Sequence, residues 1–157
     1  KVDFDKSKYI SKYANSCIDV SDGLIKDLTR ICKSSEVSIS RAMRAIRFWE
    51  SLGYNFGGAR VDTEPSCMNP RYGEIIITLP ESGFANEHLA ATRIYTHNKT
   101  GDIVKASIFI LPVYARKDRV LEHEIGHALG WSHYSQKYHI MHPNWEHGGY
   151  EKYGLKK

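Results

Sequence analysis

The sequence predicts an α+β domain, on three observations. Two segments carry the i, i+3, i+4 apolar spacing of a helix, at 39–52 and 117–129. A run of isoleucines at 74–79 reads as a buried strand. Two further apolar segments, 89–97 and 103–111, flank a short polar turn and read as a hairpin. A length of 157 residues suits one domain over 1–157 with room for a single core.

The elements follow in order. Leu24, Ile25, Leu28, Ile31 and Cys32 fit one face of a short helix, introduced by Ser21-Asp22-Gly23 and broken at Ser34-Ser35. In the next helix Ile39, Ala42, Ala45, Ile46, Trp49 and Leu52 form the apolar stripe, with Ser38 or Ser40 as cap and Gly53 as stop. Arg41, Arg44, Arg47 and Glu50 are expected to face water. Gly57-Gly58 and Glu64-Pro65-Ser66 bracket a strand at 59–63. Pro80 closes the isoleucine strand. Asn98-Lys99-Thr100-Gly101 makes the hairpin turn, and its first three residues are also a glycosylation triplet, relevant only to a secreted chain. Asp118 is the expected cap of the last helix, Val120, Leu121, Ile125, Ala128 and Leu129 its apolar face, and Gly130 its left-handed stop.

Composition narrows the function. With 41% hydrophobic and 25% charged residues the chain is globular, not disordered. Its net charge of +4 comes from 22 basic and 18 acidic residues that are interspersed, so no nucleic-acid partner is expected. The longest apolar run, 108–111 extended by Pro112 and Val113, is far short of a bilayer span, and no membrane partner is expected. The charged opening Lys1-Val2-Asp3-Phe4-Asp5-Lys6 lacks a hydrophobic signal region. Cys17, Cys32 and Cys67 allow one disulfide in three ways or three buried thiols, and none forms a CxxC pair. Six of the eight histidines fall between His123 and His147.

The segment His123-Glu124-Ile125-Gly126-His127-Ala128-Leu129-Gly130-Trp131-Ser132-His133 carries the chemistry. His123 and His127 are four residues apart and share one helical face. Two imidazole nitrogens can then meet one Zn²⁺ at about 2.0–2.1 Å. Gly130 ends the helix and lets the chain return His133 as a third ligand. Three protein ligands leave a position open for water, as a catalytic zinc site requires. Glu124 lies beside that position and is the candidate general base. The five fixed positions would arise by chance in about one chain in ten thousand of this composition. His139, His142 and His147 are read as surface or supporting residues, because three ligands already complete such a site.

This segment resembles the metzincin signature HExxHxxGxxH of zinc metallopeptidases, which also carry a Met-turn. Met141 in His139-Ile140-Met141-His142-Pro143 looks like that methionine. The eight-residue step from His133 to Met141 and the Met-x-Pro pattern look most like the matrixin branch. The resemblance implies a twisted mixed sheet of about five strands, an active-site helix, a second core helix and a small C-terminal subdomain over about 131–157. It implies one catalytic Zn²⁺, with Met141 packed beneath it as an apolar base rather than as a ligand. It places Leu89-Ala90-Ala91-Thr92 on the edge strand that holds substrate, so Ala90 and Ala91 are candidate substrate contacts. It puts Pro143 and Trp145 on the wall of a side-chain pocket and Arg119 near its floor. Three departures stand out. Tyr134 replaces the usual serine after the third histidine, no PRCGxPD cysteine switch is present, and Pro143 takes the place where astacin-like relatives have a metal-binding tyrosine.

The expected activity is zinc-dependent endopeptidase, in which Glu124 deprotonates a zinc-bound water and later protonates the leaving amine. The expected partner is a peptide or protein substrate, the expected state a monomer, and the resemblance favours a secreted or extracellular location. Tyr150 and Tyr153 are weaker candidates for stabilising the transition state. The competing readings are a zinc-stabilised binding or structural domain without turnover, and a zinc hydrolase acting on a non-peptide amide.

Overall fold

The structure, a computed structural model, describes residues 29–63, 67, 69–80 and 88–155. Strands β1 (Thr29–Cys32), β2 (Ala59–Asp62), β3 (Ile75–Thr78), β4 (Ala90–Thr96) and β5 (Ile103–Ile110) form one sheet in the order β2-β1-β3-β5-β4. The first four of these positions run parallel, and β4 closes one edge antiparallel to β5. This is the mixed sheet of about five strands that the family resemblance implies. Helices α1 (Ile39–Glu50), the short α2 (Pro112–Ala115) and α3 (Val120–Ala128) complete the layers. Among the described residues no helix is long and apolar enough to cross a membrane.

The core lies between one sheet face and the two longer helices. Ile31, Ile77 and Ile108 stand in register on adjacent strands and are fully buried, together with Trp49 of α1 and Ile125 of α3. Ile76, whose side chain points the other way, is 1% exposed. The isoleucine strand is thus covered on both faces, as its unbroken apolar run predicts.

The chain start differs from expectation. Ile31 and Cys32 belong to strand β1, not to a helix, and all four β1 residues are buried. A four-residue strand covered on both faces, Thr29-Arg30-Ile31-Cys32, shows no apolar–polar alternation by which to tell it from a helix segment. Leu24, Ile25 and Leu28 of that expected helix lie outside the described residues. Cys32 forms a disulfide with Cys67, with 5.7 Å between their Cα atoms, and Cys17 lies outside the described residues. The bridge ties β1 to the loop after β2.

Helix α1 begins as expected, with Ser38 Oγ accepting from the Arg41 N–H. Two of its residues depart from the pattern. Ile39 is exposed at 46%, whereas Arg41 is mostly buried, its side chain 12% exposed. The Arg41 guanidinium donates to both Glu122 carboxylate oxygens, at 2.8 and 2.9 Å, and to the Lys117 carbonyl. A charge stays buried when it is paired and its donors are used. The Trp49 indole donates to the Glu122 carbonyl at 2.8 Å, so two contacts clamp α1 to α3.

Helix α3 starts at Val120, three residues later than predicted. Asp118 is not its cap but pairs with Arg44 of α1. The cap position belongs to Arg119, whose φ is 71°. The end is as predicted. Gly130 has φ 97° and donates to the His127 carbonyl, while the Trp131 N–H reaches back to the Gly126 carbonyl. This paired closure reverses the chain and sends it toward the site.

Candidate metal centre

Helix α3 presents His123 and His127 one turn apart, and the turn after Gly130 returns His133 beside them. The Nε2 atom of His127 lies 3.0 Å from that of His123 and 3.1 Å from that of His133. Three nitrogens about 2.05 Å from one tetrahedral ion stand about 3.3 Å apart, so this spacing suits a shared Zn²⁺.

The other ring nitrogens fix the tautomers. His123 Nδ1 lies 2.8 Å from the Ile140 carbonyl, and His127 Nδ1 lies 2.7 Å from the Trp131 carbonyl. A carbonyl only accepts, so each Nδ1 carries the proton and each Nε2 presents a lone pair. Lone pairs then face one another with no proton between them, which a common cation relieves. Burial, the main cause, pushes the His123 imidazole down to about 4 and lowers that of His127. Both rings are therefore neutral near pH 7, the form that ligates metal. The donor set fits zinc, and these three residues would hold it.

Glu124 follows His123 on the helix and is 6% exposed. Burial raises its carboxyl to about 7, against the opposing pull of a hydrogen bond from Thr92. That bond joins Thr92 Oγ1 to Glu124 Oε2 at 2.6 Å, and the same hydroxyl lies 3.1 Å from the Glu124 carbonyl. Thr92 enters the sequence reading only as part of the edge strand. Its partner is 32 residues away, and no local pattern announces the contact.

Met141 is fully buried under the helix. It meets Gly126, where a Cβ would overlap the Met141 sulfur and stand 2.7 Å from Trp49 Cζ2. The glycine in the helix is what lets the methionine and the indole approach. The Met141 carbonyl also accepts from the Tyr134 N–H at 2.9 Å, tying this methionine to the residue after His133.

A cleft of about 940 Å³ runs past the three histidines and Glu124. Ala90, Ala91 and Thr92 of β4 lie along one side, and Pro143, Trp145 and Arg119 line the same cleft. The Arg119 guanidinium stacks 4.9 Å from the Trp145 ring centre, whose indole N–H donates to the Asp118 carbonyl. Tyr150 and Tyr153 do not line the cleft. Tyr150 packs toward Phe48, and Tyr153 is three-quarters exposed. His139 is buried, with Nδ1 accepting from the Met141 N–H and Nε2 beside the Tyr153 carbonyl. The His142 ring stands against His147, its Nδ1 accepting from the Asn144 N–H. Among the described residues His123, His127 and His133 are the cluster spaced to hold an ion.

Comparison with known proteins agrees with this geometry. No curated protein matches the chain. The model of the matrixin peptidase family M10 matches residues 79–157, half of the sequence, from just after β3 onward. The matched half holds the edge strand, the three histidines, the glutamate and the buried methionine, and the chain belongs to the matrixin family of metallopeptidases.

Proposed function

We propose that this protein is a zinc-dependent endopeptidase in which His123, His127 and His133 hold one zinc ion and Glu124 is the general base. The observation that carries the proposal is the triad itself: the Nε2 of His127 stands about 3 Å from those of both His123 and His133, and two of the three rings have their tautomers fixed. When bound, zinc supplies a Lewis acid that acidifies water and polarises a scissile carbonyl. Glu124 takes a proton from the attacking water and returns it to the leaving amine. The buried carboxyl, near 7, suits both directions of that transfer.

Strand β4 supports the choice of a peptide substrate. It is one edge of the sheet, and Ala90 and Ala91 line the same cleft as the triad. An extended peptide can add to such an edge through backbone hydrogen bonds, which bring affinity with little demand on sequence. Pro143, Trp145 and Arg119 would bound the pocket that takes a neighbouring side chain.

The test is digestion of a random peptide library by the zinc-loaded protein. Cleavage should stop with a chelator and return with zinc. Glu124→Ala should keep zinc and lose nearly all cleavage, while His127→Ala should lose zinc as well. A Glu124→Ala variant that cuts as well as the parent would overturn the base assignment. A zinc-loaded parent that cuts no peptide would favour a metal-stabilised binding domain instead.

A further inference from the structure

We infer that Thr92 is a positioning residue for Glu124: its hydroxyl holds one carboxylate oxygen so that the other stays turned to the reacting centre. The inference rests on the endopeptidase reading above. Thr92 sits on β4 in register with Ile108 of β5, whose buried side chain faces the helices. The same register turns the Thr92 hydroxyl toward α3, where it meets Glu124 Oε2 at 2.6 Å. Its distance to the Glu124 carbonyl is longer, at 3.1 Å. A hydroxyl has one proton to give, and the shorter, charge-assisted bond to the carboxylate is the stronger.

A glutamate has three side-chain torsions and, without a partner, wanders among rotamers. Threonine is stiff at χ1, so it is a firm anchor. Among the described residues Thr92 supplies the side-chain hydrogen bond to this carboxylate. The anchor also lies on the strand proposed to receive the peptide. Substrate and base therefore share one rigid reference, with Thr92 next to Ala91 along the chain.

The variants Thr92→Val and Thr92→Ser separate positioning from packing. Valine keeps the branched shape and loses the hydroxyl, and serine does the reverse. On a peptide that the parent cleaves, Thr92→Val should lower kcat about 10- to 100-fold with KM within about twofold. Thr92→Ser should recover kcat to within about threefold of the parent. Zinc content should be full in all three. A purely structural role would lower Tm and leave kcat unchanged below the melting range. Crystals of zinc-loaded parent and Thr92→Val give a readout independent of turnover: the Glu124 carboxylate should leave its position in the variant. A carboxylate that stays in place, or an unchanged kcat, would overturn the inference. A parent that cuts no peptide would overturn the endopeptidase reading, and the two crystals would still decide whether Thr92 holds Glu124.

Discussion

Gly126 of α3 packs against Met141, and a single methyl group at 126 would collide with both the thioether and the Trp49 indole. Trp49 cannot easily withdraw, because its N–H is bonded to the Glu122 carbonyl. Gly126→Ala gains helix propensity of up to about 1 kcal/mol but overpacks a filled space at about 1–3 kcal/mol. The expected net loss is about 1–2 kcal/mol, read from urea unfolding. In a Met141→Ala background the same change should cost less, a coupling that a double-mutant cycle measures.

Arg41 and Glu122 make a paired, bidentate contact in which Glu122 is 2% exposed. Removing Arg41 leaves the buried Glu122 carboxylate with the exposed Arg44 guanidinium, 3.4 Å away, as a weaker partner. Arg41→Ala should therefore destabilise by about 3 kcal/mol, the low end of the cost of a buried charge that loses its partner, and the double change to two apolar residues should cost less than the single one. Thermal unfolding of the three variants checks the order.

The Cys32–Cys67 bridge closes a loop at a sequence separation of 35. In the chain-entropy model a loop of that size contributes about 4 kcal/mol. Replacing both cysteines by serine should lower stability by that order, and reducing agent should lower the parent's Tm but not the variant's.

The metal-free protein should show two opposed pH slopes. Burial raises the Glu124 carboxyl from 4.5 to about 7, so the folded state binds more protons in that window and stability falls as pH rises through it. Burial lowers His123 from 6.5 to about 4, so the unfolded state binds more protons there and stability falls as pH drops through that window. The Glu124 and His123 shifts are each worth about 3 kcal/mol and oppose one another, and the lowered His127 adds to the histidine side. In chelator-stripped Glu124→Gln only the histidine slope remains. That variant should be the more stable protein at pH 7.5 and lose its lead on acidification to pH 5, followed by urea midpoints.

The site was readable because its spacing is local. His123, His127 and Gly130 are set by helix geometry, and His133 follows the turn that Gly130 forces. What supports the site was not readable, since it is built from contacts across the sequence. Arg41 meets Glu122 81 residues away, Thr92 meets Glu124 32 residues away, and neither residue type announces a partner. Strand β1 was misread for another reason. Four residues covered on both faces carry no period, so Ile31 and Cys32 fit the apolar stripe that begins at Leu24 although they are strand. Arg119 took the cap from Asp118 because Arg44 reaches Asp118 across the helix pair.

Two of the three histidines are aimed by peptide carbonyls, those of Trp131 and Ile140, rather than by carboxylate side chains. Every amino acid brings a carbonyl, so substitution at 131 or 140 leaves the aiming groups intact while the loop keeps its path. The orientation of the triad is thereby insulated from side-chain drift at those two positions. Such a centre can diverge widely around its ligands, and a lineage could alter the neighbouring residues while preserving the angle of each ring.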